Sequence, residues 1–239
     1  MKQLKTMALL TTALLAGSSV IAQPAGMGGN EQKPKDDKVV AEIGEPAPAF
    51  SLKDQWGESH TLKEYEGKIV VLEWFNEKCP FCKRVWTCGL VPKVIKQLGK
   101  MDTEVVYLAI NSSADRPKTE VLTTGSKFLE DQELGTPMLM DYDGEVGHRY
   151  GAKTTPHMFI IDAEGVLAYH GAMSDDPGGK EGEDAETHTI RVVKQLQNEE
   201  EVKPYYVKPW GCSVKYAAGD KKSSRPKRPR RGPGVMGMP

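Results

Sequence analysis

The chain has 239 residues, with 32 Lys and Arg against 33 Asp and Glu, for a formal net charge of −1. That near-balance gives no electrostatic ground for a nucleic-acid partner, and no segment beyond the N-terminus is apolar enough to cross a bilayer. The four cysteines, Cys79, Cys82, Cys88 and Cys212, form an even set of the kind used in disulfide chemistry.

Residues 1–22 combine a Lys-bearing start, a short apolar core and small residues ending near Ala22, the layout of a cleaved secretory signal peptide. A membrane anchor would need about 20 continuous apolar residues, and Ser18, Ser19 and several threonines interrupt this run. The product is therefore expected in the periplasm or secreted. Residues 23–42 are rich in Gly, Gln, Lys, Asp and Pro and read as a flexible linker.

From residue 43 to 206 the pattern is that of one α/β domain with a central mixed sheet flanked by helices. Strands are predicted at 68–75, 104–112, 157–162 and 166–171, the first two as near-continuous apolar runs suited to burial on both faces. Helices are predicted after Cys79, at 117–132 and at 184–200. The DAEG turn between the last two strands makes them a hairpin, with Gly165 free to take a positive φ. Residues 207–217 form an extension containing Cys212, and the basic, Pro/Gly-rich stretch 218–239 cannot bury enough apolar surface to fold. The charge of that tail suits contact with an anionic surface or nucleic acid, but a solvated end is the favoured reading, because an exported chain does not meet genomic nucleic acid.

The chemistry concentrates in Cys79-Pro80-Phe81-Cys82, directly after the first buried strand. Pro80 fits the first position of a helix, where its missing N–H costs nothing, so Cys79 falls at a helix N-terminus. Unpaired amides and the positive end of the helix dipole favour a thiolate there, and Cys82 lies one turn on, within reach of a mixed disulfide at Cys79. Structural zinc commonly uses two such pairs, and only one is present. Covalent haem would need a His where Lys83 stands. A purely structural bridge over so short a loop is strained and stabilises little. Thiol–disulfide exchange fits best, with no metal or cofactor implied.

At these residues the chain resembles the thioredoxin-like superfamily, specifically exported redoxins related to alkyl hydroperoxide reductase/thiol-specific antioxidant domains and to ResA/TlpA-type oxidoreductases. The "PAPAFSL" lead-in, Gly67-Lys68 before the first central strand, and "YGAKTTPHMFIIDAEGVLAYHG" carry the likeness over about residues 43–206. The resemblance implies a thioredoxin-like fold and catalysis by Cys79 and Cys82. It also implies a cis Thr155-Pro156 bond facing them, whose backbone takes an extended substrate by strand addition. Glu73, six positions before Cys79, matches a buried acid that relays protons to the second cysteine; a solvated, edge-facing Glu is the alternative. Pro80, Phe81 and Trp74 are expected to shape the substrate groove, with packing as the other reading for Trp74. The implied partners are protein thiols or disulfides and a redox donor.

A peroxiredoxin would carry Thr three residues before its reactive cysteine and Pro four before that, where this chain has Asn76 and Leu72. Peroxidase chemistry is thus the runner-up, and a non-catalytic binding module the third reading. Cys88 and Cys212 are expected to pair in a structural disulfide, with two alternatives open: free thiols, or Cys212 resolving Cys79 in place of Cys82. His157 could reach substrate but fits a surface strand opening better.

Overall fold

A computed structural model describes residues 40–217. The 1–22 leader, nearly all of the 23–42 linker and the 218–239 tail lie outside the described residues.

A short hairpin, β1 (Ser51–Lys53) and β2 (Ser59–Thr61), leads into the central strand β3 (Ile69–Trp74), whose six residues are all buried. Then come α1 (Pro80–Thr87), α2 (Leu90–Leu98), β4 (Val105–Asn111), α3 (Lys118–Glu130), β5 (Met138–Met140) and α4 (Glu145–Tyr150). The second half holds β6 (Thr154–Thr155), β7 (His157–Ile161), β8 (Leu167–Gly171), α5 (His188–Gln197), β9 (Tyr206–Val207) and β10 (Cys212–Ser213). The main sheet runs β5-β4-β3-β7-β8-β9, parallel from β3 through β5 and antiparallel across β3, β7 and β8. This is the expected mixed α/β sheet, and the four predicted strands are β3, β4, β7 and β8.

Both faces of the sheet are covered, which is why β3 and β4 read as continuous apolar runs rather than alternating ones. On one face Val85 and Trp86 of α1, Val94 and Leu98 of α2, Leu129 of α3 and Val192 of α5 close over Val71, Ala109 and Ile160. On the other, Val146 and Tyr150 of α4 pack with Phe50 over Trp74, Leu108 and Phe159.

Gly89, at φ +90°, separates α1 from α2, and Pro92 falls in the first turn of α2, where an N–H has no helical partner anyway. The helix predicted after Cys79 thus ends at the break that Gly89 and Pro92 signal in the sequence, and a second helix follows it. Elements of two to six residues such as β5, α4, β6 and β10 are too short to show a period and go unpredicted. The boundary expected after residue 206 runs through β9, which pairs with β8, so part of the extension belongs to the sheet.

Candidate active site

The end of β3 delivers Cys79 to the N-cap of α1, with Pro80 opening the helix. Cys79 is 2% exposed and Cys82, one turn later on the inward side, is fully buried. The Cys79 thiol is held down to about 4, first by a hydrogen bond from the Cys82 thiol. Burial opposes this, and the Cys212 thiol and the Cys82 amide add to it. The Cys82 thiol moves the other way, raised chiefly by burial and further by the charges of Cys79 and Glu73. One sulfur is thus poised as a thiolate and its neighbour stays protonated, the division that disulfide exchange requires.

Glu73 lies beneath the pair and is fully buried. Burial pushes its carboxyl up to about 7 and the negative Cys79 raises it further, against hydrogen bonds donated by Tyr107 Oη at 2.7 Å and Trp86 Nε1 at 3.2 Å. Glu73 is in register with Ala109, so Tyr107, two residues earlier on β4, shares its face of the sheet. Trp86 shares a helix face with Cys82 at i, i+4. Neither donor is identified by the sequence reading, although the 82/86 spacing was available in it.

The peptide between Thr155 and Pro156 is cis, and the Thr155 carbonyl lies 3.0 Å from Cys79 Sγ, close enough to accept from the thiol when it is protonated. The loop therefore faces the thiols as expected. Its outer edge is not open, however. Strand β10 pairs antiparallel with β6, placing Cys212 opposite Thr155 and Ser213 opposite Thr154. The backbone expected to receive a substrate is paired with the chain's own C-terminal segment.

Other expectations need correction. Cys88 and Cys212 are not bridged: all four cysteines are free thiols, and Cys212 faces Cys79 while Cys88 Sγ points to the Val85 carbonyl at 3.7 Å. Register explains this, because pairing with β6 commits Cys212 to the cis-Pro loop. Trp74 does not line a groove. It alternates with Glu73 along β3, packs against Phe159 and Tyr150 with centroids at 4.9 and 5.3 Å, and donates its indole N–H to Ser112 at 3.0 Å. His157 is likewise buried, held down to about 3 by desolvation and packed on Phe159 at 4.5 Å. Pro80 and Phe81 are exposed beside the thiols, and Phe81 lies 6.1 Å from the Trp210 ring. Among the described residues no group of three or more His, Cys, Asp or Glu side chains is disposed to hold a metal ion.

The family model described as the AhpC/TSA family matches residues 43–170 of this chain. Thiol-disulfide oxidoreductase ResA of Halalkalibacterium halodurans is 31% identical over 142 residues, 58% of this chain and 74% of that protein. Its counterpart in Geobacillus thermodenitrificans is 33% identical over 133 residues, 55% and 70% respectively. Among solved structures, an uncharacterized conserved protein from Geobacillus kaustophilus aligns with a TM-score of 0.65 at 26% identity, covering 74% of this chain and 93% of that one. A hypothetical protein from Sinorhizobium meliloti gives 0.64 at 26% identity, over 74% and 96%. Cys79, Cys82, Thr155 and Pro156 fall inside the 43–170 match, and Cys212 falls beyond it.

Proposed function

The chain belongs to the AhpC/TSA family, and from that premise and the geometry of the thiols we propose that it is a thiol–disulfide oxidoreductase acting on proteins through Cys79 and Cys82. One arrangement carries this reading: Cys79 at the N-cap of α1 with Cys82 in its first turn, the cis Thr155-Pro156 loop 3.0 Å from Cys79 Sγ, and the buried Glu73 near both sulfurs. The similarity to thiol-disulfide oxidoreductases named ResA supports it.

In the reductive direction the Cys79 thiolate attacks one sulfur of a partner disulfide, forming a mixed disulfide and expelling the other sulfur as a thiolate. Cys82 then loses its proton and attacks Cys79 Sγ; the Cys79–Cys82 bond forms and the partner leaves as a second thiolate. Cys82 is the harder of the two to ionise because it is buried and faces negative neighbours. Glu73, with its carboxyl near neutrality, is the proton acceptor for that step. Tyr107 and Trp86 orient the carboxyl and limit how far its pKa rises. The oxidative direction runs the same steps in reverse. Export belongs to this reading and rests on the composition of residues 1–22.

Reduction of insulin by the mature chain, with dithiothreitol as donor, tests the assignment. Turnover should vanish in Cys79→Ser, and a chain carrying both Cys82→Ser and Cys212→Ser should stall as a mixed disulfide. A Cys82→Ser variant that instead consumes hydroperoxide at the wild-type rate would favour a peroxidase.

A further inference from the structure

We propose that Cys212 is a third redox-active cysteine, which takes the disulfide over from Cys79 and presents it to partner proteins at the surface. This rests on the thiol–disulfide reading above and extends it to a residue outside the matched family region.

The observation behind it is one of register. Residues that add a strand beside a binding loop align their backbone with it, and side chains of directly opposed residues sit about 4.5–5.5 Å apart. Here the added strand is β10, and the residue opposite Thr155 is a cysteine. Since the Thr155 carbonyl is 3.0 Å from Cys79 Sγ, this register carries the third sulfur to the first.

The segment is fixed on both sides of Cys212. Trp210 donates its indole N–H to the Ser174 carbonyl at 2.8 Å, and its ring lies 6.1 Å from that of Phe81. Val214 N–H donates to the Lys153 carbonyl at 3.1 Å, and Ala114 N–H to the Lys215 carbonyl at 2.7 Å. Tyr216 donates to the Ala152 carbonyl at 2.9 Å and stacks on His148 at 4.1 Å. Gly211 has φ +131°, and an added Cβ there would lie 2.2 Å from the Thr155 carbonyl oxygen. Only glycine lets the backbone approach this closely.

Accessibility supplies the reason for a third thiol. Cys79 and Cys82 are both buried, whereas Cys212 is partly exposed. A protein partner meets Cys212 first.

Starting from the oxidised Cys79–Cys82 pair, the Cys212 thiolate attacks Cys79 Sγ. The Cys79–Cys212 bond forms, the Cys79–Cys82 bond breaks, and Cys82 leaves with the electron pair and takes a proton from Glu73. No external oxidant is consumed. A partner thiolate then attacks Cys212 Sγ and Cys79 departs as a thiolate, the better leaving group because its pKa is the lowest of the three. The partner's second thiolate attacks its own mixed-disulfide sulfur, forming the partner disulfide and freeing Cys212. The reverse sequence reduces a partner disulfide. Burial raises the Cys212 thiol to about 11, with hydrogen bonding and charge from Cys79 behind it. Both contributions from Cys79 disappear once Cys79 is in a disulfide, so Cys212 becomes a better nucleophile when its attack is required.

The test uses the mature chain and glutathione disulfide as oxidant. In Cys82→Ser, non-reducing peptide mapping should find a Cys79–Cys212 bond, and Gly211→Val in that background should replace it with glutathione on Cys79. In an otherwise wild-type chain, Cys212→Ser should slow exchange with a protein dithiol by roughly tenfold or more. Finding glutathione on Cys79 with Cys212 free in Cys82→Ser, while the wild type reduces insulin, overturns this proposal alone. A Cys79–Cys212 bond in a chain whose wild type does not exchange with insulin overturns the proposed function and upholds the third cysteine.

Discussion

Two buried carboxyls stand on this sheet, Glu73 under the thiols and Asp141 just after β5, and burial is the first cause of a raised pKa in both. They differ in what surrounds them. Asp141 accepts from Ser112 Oγ at 2.6 Å, Gly147 N–H at 2.8 Å and Val146 N–H at 3.0 Å, which ties it to the first turn of α4, and its carboxyl is pushed up to about 6. Glu73 has two side-chain donors, faces a thiolate, and is pushed up to about 7. Burial alone therefore does not mark a working acid. The three donors on Asp141 limit the rise and tie it to α4, while Glu73 sits where a proton must be moved and where its charge repels a sulfur.

The largest expected effect that separates the two is on rate. Glu73→Gln keeps the shape and removes the base, so insulin reduction should fall about 100-fold, and the rise in rate through neutral pH should flatten. The same substitution should raise stability at pH 8. A carboxyl whose pKa is raised on folding destabilises the fold as pH climbs from its unfolded value of 4.5 through about 7. Thermal melts of the reduced protein across that range would show the gap between variant and wild type opening as pH rises.

Asp141→Asn should spare the rate, and its cost in stability should be read near pH 5, because the raised carboxyl itself destabilises the fold above about pH 6. Weakening its contacts with the α4 amides should cost about 1 kcal/mol of unfolding free energy in urea melts, with the pH–rate midpoint unmoved. A shifted midpoint would mean that the two carboxyls are not separate systems. The smallest effect belongs to Trp86→Phe, which removes one of the two donors to Glu73. The pH–rate midpoint should move upward with little loss of maximal rate.

Much of this contrast could be read before the structure was known, and the limits follow from chain physics. The buried strands, the Cys79 helix start, the cis Thr155-Pro156 loop and Glu73 all sit in local patterns or matched motifs. Tyr107 was hidden because its partnership with Glu73 depends on the parallel register of β3 and β4, which no local spacing encodes. Trp74 stands beside Glu73 in the sequence, which points to the groove, yet adjacent residues on a strand face opposite sides of the sheet. A count of cysteines pairs Cys212 with Cys88; the two-residue strand that carries it to Thr155 leaves no periodic trace.

Everything rests on Cys79 being a thiolate while Cys82 stays protonated. The ultraviolet thiolate absorbance of the reduced protein, taken as the difference between wild type and Cys79→Ser across a pH series, measures this directly. A titration centred near pH 4 is predicted; one centred near the ordinary cysteine value of about 8.5 would contradict the account.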